Sequence, residues 1–247
     1  MTPRGGPYAA ESSAMVPSVG QKLWGWLLDY AYVACWMVRG FLATSTPQDL
    51  LVPATGPLAP VLLIPGVYES WRFLQPVAVH LYRRGHPVHV LDKLGYNTGT
   101  IPDMALLVRE YLDELDLRHV VVIAHSKGGL IAKYALREPA LLDRVDRLVA
   151  INTPFSGSRY AYLFLGGVRT FTPRSSLIRQ LNQDRDVNGR ISSLYSVFDP
   201  HIPETSRLEG AQNIILPTVG HFRPLGDPDS LNLISTLVHQ HQLTIDN

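Results

Sequence analysis

The chain has 247 residues, 46% of them hydrophobic and 17% charged, with a formal net charge of +1. That length is enough to bury the core of one domain, and the near-even charge balance excludes the basic stripe of a nucleic-acid binder. The single cysteine, Cys35, excludes an internal disulfide and a cysteine-rich metal site; it reads as a small buried hydrophobe, in keeping with a reducing compartment.

Residues 1–20 are rich in Gly, Pro and Ser, show no periodicity and read as a disordered tail. Nothing in them forms a clear cleavable leader, so the expected location is cytoplasmic or peripheral to a membrane. An apolar helix is expected over residues 21–42. Within it, Leu23 to Val38 carries one charge, Asp29, lies between Lys22 and Arg39, and holds Trp24, Trp26 and Trp36. This stretch falls short of the ~20 residues a bilayer span needs. Two readings stand: a helix packed on the outside of the domain, or an aromatic interfacial anchor giving peripheral membrane contact through residues 23–42. Residues 43–58, with Pro47, Pro53 and Pro57, read as an extended linker, leaving the main domain at 59–247.

From there strands and helices alternate, as in a parallel sheet built from βαβ units. Val61 to Ile64 is a strand, and Ser70 is placed to cap a helix from Trp71 that Gly85 ends. Val88 to Leu91 is the next strand, and Pro102 opens a helix with Leu107, Val108, Tyr111, Leu112 and Leu115 on one face. Val120 to Ala124 is an apolar strand that runs into His-Ser-Lys-Gly-Gly and then a helix. Strands follow at Arg147 to Ile151, Ser193 to Phe198 and Asn213 to Thr218, with a closing helix from Ser230. The rhythm breaks between 159 and 188, where aromatic residues cluster around Gly166-Gly167. This segment reads as a small cap over a site or as a cover for the sheet edge.

Ser126 sits at the sharp turn from strand to helix, with Ala124 and Gly128 two residues to either side. Small neighbours let strand and helix pass closely, and the helix N-terminus aims N–H groups at negative charge formed there. A serine needs a base within reach, and the base needs a group that fixes its tautomer.

Four stretches, LLIPGVY, AHSKGG, NTPFSGS (Asn152 to Ser158), and YSVFDPHIP paired with VGHF, resemble the α/β-hydrolases of the bacterial lipase and esterase type. The resemblance runs from about Val61 onward, with Pro65 and Phe155 standing where histidine is customary. It implies an α/β fold with a mostly parallel sheet, a nucleophile at Ser126, and an acid and a histidine following in that order on loops after later strands. His221, after the final strand, is the candidate base. Asp199 is the first candidate for the acid, ahead of Glu204 and Asp227. His125 is expected to be a structural neighbour, and His201 to lie too close to Asp199 to join its proton network. The N–H groups of Val67 and Lys127 would form the oxyanion hole. Tyr68, Phe155, Phe164 and Phe171 are candidate substrate contacts, and no cofactor or metal is called for. The expected chemistry is cleavage of carboxylic esters with an apolar acyl part through an acyl-enzyme. A thioesterase or acyltransferase with the same triad is the nearest alternative, and a non-catalytic membrane-associated binding protein is the alternative from another class.

Overall fold

Apolar, largely β-branched runs pair into one sheet of six strands, β1 (Val61–Ile64), β2 (Val88–Val90), β3 (Val120–His125), β4 (Val145–Ile151), β5 (Ile191–Phe198) and β6 (Gln212–Val219). All five pairings are parallel, in the order β2-β1-β3-β4-β5-β6. The computed structural model describes residues 16–42, 58–163 and 166–245; the expectations for residues 1–15, for 43–57 and for Phe164 lie outside them.

β1, β2 and β3 are buried at every residue, which is why they are written as continuous apolar runs rather than as alternating ones. The two faces nonetheless sort by the strand period of two. Leu62, Ile64, Val120, Val122, Leu148 and Ala150 face a core shared with α3 (Ile101–Glu114) and α4 (Lys127–Ala135). Val61, Leu63, Val121, Ile123, Val149 and Ile151 face a second core, closed by α2 (Gln75–Tyr82) and α7 (Pro228–Ile245). The register aligns Ile64 with Ala124 and His125 with Ile151, so the loops after β1, β3 and β4 open together at the carboxyl edge of the sheet.

Several local details differ from the sequence reading. Ser70 makes no capping hydrogen bond; a 3-10 turn fills Trp71–Leu74, and α2 begins only at Gln75, with Pro76 in its first turn. A side-chain cap is found instead on α3, where the Thr100 hydroxyl accepts the Asp103 N–H at 3.3 Å. A short helix, α5 (Pro139–Leu142), precedes β4; between β4 and β5 come 3-10 segments at Arg159–Leu163 and Gly166–Phe171 and then α6 (Ser176–Gln183). Ile178 and Leu181 of α6 join the core beside α4, so this part covers the sheet. The 3-10 segments supply Tyr160, Ala161 and Phe171 to the site cavity.

The apolar N-terminal stretch is the helix α1 (Val19–Leu42), docked along β6 and the Trp71–Leu74 turn. Its inward stripe is Gly25, Leu28, Asp29, Tyr32 and Val33, at i, i+3, i+4, i+7 and i+8 on one helix face. A Cβ on Gly25 would lie 2.3 Å from Cγ1 of Val219, so the helix sits close on the strand. The Tyr32 hydroxyl donates to the Phe73 carbonyl at 3.0 Å. The opposite face leaves Leu23, Trp24, Leu27, Met37 and Val38 exposed, and Cys35 lies among the exposed residues rather than buried. Asp29 is the one charged residue on the inner face. Among the described residues no helix is long and apolar enough to cross a membrane.

Candidate active site

The turn from β3 into α4 holds Ser126 at φ 49°, ψ −119°, a left-handed strain for a residue with a side chain. The turn is held by the Ser126 N–H, which donates to the Ile151 carbonyl at 2.9 Å, and by Gly129 N–H, which donates back to Ser126 at 3.1 Å. Close approach makes the glycines necessary: a Cβ on Gly128 would lie 2.3 Å from the Ile64 carbonyl oxygen. Ser126 and His221 open into the same cavity of about 210 Å³, walled by Val67, Pro154, Ala161, Phe171, Ile202 and Phe222. Tyr68 and Tyr160 also line it, and both are partly exposed.

His221 follows β6, and its Nδ1 lies 2.7 Å from Oδ2 of Asp199, which follows β5; each side chain is 6% exposed. The other carboxylate oxygen accepts the N–H groups of His201 at 2.7 Å and Ile202 at 3.2 Å. Burial alone would raise the Asp199 pKa, but the facing His221 and these hydrogen bonds hold it below the usual carboxylate range. For His221 burial works against the proton; the Asp199 carboxylate prevails and holds the imidazole above its ordinary value. A proton kept on Nδ1 leaves Nε2 as the ring's acceptor. Among the described residues the Ser126 hydroxyl makes no hydrogen bond; nucleophile–base contacts are often long until substrate closes them. The N–H groups of Val67 and Lys127 also donate to no protein acceptor among the described residues.

The rival acids are occupied elsewhere. Glu204 binds Arg159 through Nε at 2.6 Å, and Asp227 caps α7 by accepting Ser230 N–H at 3.0 Å and its hydroxyl at 2.8 Å. The Lys127 ammonium leaves the site to donate to the carbonyls of Asn97 at 2.7 Å and Gly99 at 2.5 Å, and burial lowers its pKa to about 8. Phe155 does not line this cavity: it is 1% exposed and packed in the core, with the Lys133 ammonium 5.9 Å from its ring. Phe171 and Tyr68 do line the cavity.

Three supporting residues escaped the sequence reading. Glu69 accepts the Gly66 N–H at 2.9 Å and lies 2.8 Å from Nδ1 of His125, whose Nε2 donates to the His221 carbonyl at 3.1 Å. The buried pair therefore ties the loop after β1 to the loop that carries His221. Asn152, at φ 44°, donates to the same carbonyl at 2.8 Å. Asp29 was visible as the one acid in an apolar helix, a residue type rarely buried without partners. His201 lies against the base, its ring 4.8 Å from that of His221 in a T-shaped contact and its Nε2 3.1 Å from the Tyr30 hydroxyl. Burial and the neighbouring His221 push its pKa down to about 4, so it carries no charge at neutral pH.

A family model described as the alpha/beta hydrolase fold matches residues 59–169, the stretch from β1 through the first 3-10 segments after β4. The mature lipase BlEst2 of Bacillus licheniformis superposes with a TM-score of 0.61 over 75% of this chain and 95% of its own, at 17% identity. The chain has the α/β-hydrolase fold. The monoacylglycerol lipase of Paleococcus ferrophilus shares that fold with a TM-score of 0.56, over 77% of this chain and 96% of its own, at 15% identity. In sequence the hydrolase-fold chain is 32% identical over 118 residues to the sn-1-specific diacylglycerol lipase ABHD11 of Xenopus tropicalis. That match takes in 43% of this chain and only 37% of the relative's length.

Proposed function

We propose that this protein is a serine hydrolase that cleaves carboxylic esters with an apolar acyl chain. The observation that carries the reading is the buried His221–Asp199 pair, whose histidine opens into one apolar cavity with a strained Ser126 whose hydroxyl has no partner among the described residues. In this mechanism Nε2 of His221 takes the hydroxyl proton as Ser126 attacks the carbonyl carbon. Asp199 holds the ring and stabilises the imidazolium, and the N–H groups of Val67 and Lys127 receive the oxyanion. His221 returns the proton to the leaving alcohol, and water then releases the acyl-enzyme by the same steps in reverse roles. The apolar wall suits acyl methylenes, each worth about 0.8 kcal/mol when buried. The likeness to the sn-1-specific diacylglycerol lipase of Xenopus tropicalis supports a glycerolipid ester as the substrate class. The exposed Trp24, Leu27 and Met37 of α1 support peripheral contact with a lipid surface, where such esters reside.

A fluorophosphonate probe tests the reading, with Ser126→Ala as the control. The wild type should be labelled at Ser126 and hydrolyse p-nitrophenyl butyrate, and the alanine variant should do neither. A folded wild type that resists the probe sinks the proposal. Running matched ester and thioester substrates, with and without an alcohol acceptor, separates an esterase from a thioesterase or acyltransferase.

A further inference from the structure

We infer that Asp29, on the helix outside the sheet, is a positioning residue for His221. The inference rests on the hydrolase reading above. The Asp29 side chain is fully buried, and its carboxylate accepts three consecutive backbone N–H groups: His221 at 2.9 Å on Oδ2, and Phe222 at 2.7 Å and Arg223 at 2.9 Å on Oδ1. Successive N–H groups of a tight turn form a nest for an anion, and Asp29 fills it. The seat is shaped for this side chain. Gly220 stands at φ +129°, and a Cβ there would lie 2.5 Å from Oδ1 of Asp29. Gly25, one helical turn earlier, lets α1 approach β6 closely enough for Asp29 to reach.

The peptide of the base is thereby held on both sides. His125 and Asn152 grip its carbonyl, and Asp29 grips its N–H. Asp199 then fixes the ring of a residue whose backbone no longer has freedom to turn. A helix that only covered the sheet would place an apolar residue at this position, since a carboxylate in such a place is costly unless every lone pair finds a donor. The groups facing His221 are the Asp199, Glu69 and Asp29 carboxylates and the His125 and His201 rings. The Asp29 charge is among those that favour the imidazolium.

The test compares the 247-residue wild type with Asp29→Asn and Asp29→Ala. The measurements are kcat and KM on p-nitrophenyl butyrate per fluorophosphonate-titrated site, the pH profile of kcat/KM, and Tm. Asparagine keeps an oxygen for Phe222 and Arg223 but turns its amide toward the His221 N–H and carries no charge. Its kcat should fall on the order of 10²-fold, the scale of a small misplacement of a catalytic group, with KM nearly unchanged. The acid limb of its profile should move to lower pH. Alanine should lose more; if it does not fold, the asparagine variant carries the test. An Asp29→Asn protein with wild-type turnover per titrated site and an unmoved acid limb overturns the inference and leaves the hydrolase reading intact, even where Tm drops. A wild type that the probe does not label removes the reading and this inference together.

Discussion

A histidine serves as a general base only when its free nitrogen faces the substrate and its ring cannot turn, and in the proposed mechanism Asp199, 2.7 Å from Nδ1, supplies both conditions for His221. Asp199→Asn should therefore fold and still react slowly, with kcat lower by a factor on the order of 10⁴. Glu204→Gln should change kcat less than about threefold, since its carboxylate serves Arg159; steady-state kinetics on p-nitrophenyl butyrate separate the two. The sign of the pH dependence follows from the raised His221 pKa. The base must be deprotonated to act, so kcat/KM should rise with pH along a limb centred above the ordinary histidine value of 6.5. A limb at or below that value would mean that Asp199 does not hold the imidazolium as strongly as the pairing implies. Ser126, Asp199 and His221 could be singled out from the sequence because each stands directly after a readable strand. Glu69 and Asn152 could not, because their roles depend on which backbone carbonyl and which ring face them across the sheet edge. Phe155 shows the converse: an aromatic residue beside a motif says nothing of whether it points to the cavity or to the core.

At the scale of elements, the site depends on how closely α4 crosses β1. Gly128→Ala would press a methyl group to 2.3 Å from the Ile64 carbonyl oxygen, and backbone has little room to give. Overpacking of this kind costs about 1–3 kcal/mol, read as a lower urea midpoint, and the shift in the elbow should slow fluorophosphonate labelling as well. A stability loss without slower labelling would mean that the helix moves away as a body and leaves Ser126 in place. The sheet itself was readable since parallel strands buried on both faces must be apolar throughout, and helices with one wet face must show the 3.6-residue period. α2 was misread at its start because Ser70 has the right residue type for a cap, while Pro76 decides where the α-helix begins. The orientation of α1 was not readable for a related reason: a helix apolar nearly all round has no period to mark its inner face, and only Asp29 breaks the symmetry.

On the scale of the molecule, α1 is the element in which the two sequence readings, packed helix and interfacial anchor, meet. Its inner face is docked on β6 and reaches His221, so removing the helix should abolish turnover of dissolved esters and expose a large apolar patch. Deletion therefore says nothing about lipid contact, and the outer face has to be tested by substitution. Leu23, Trp24 and Leu27 project from it at exposures of 62%, 62% and 58%, and none of them lines the cavity. Farther along the helix, Trp36 and Met37 share a cleft with Tyr68, which also lines the cavity, so the apolar face continues to the mouth of the site. Each large side chain transferred from water to an apolar environment contributes roughly 1.5–3 kcal/mol at full burial. The triple variant Leu23→Ser, Trp24→Ser, Leu27→Ser should thus lose at least about 10²-fold in sedimentation with phosphatidylcholine vesicles carrying a fraction of phosphatidylserine. Its kcat on p-nitrophenyl butyrate should stay at the wild-type level, and its rate on emulsified diacylglycerol should fall with the lost binding. Equal vesicle binding by variant and wild type would remove the lipid contact. A wild-type dimer that the substitutions convert to monomer, seen by sedimentation velocity, would assign the face to a second copy of the chain instead.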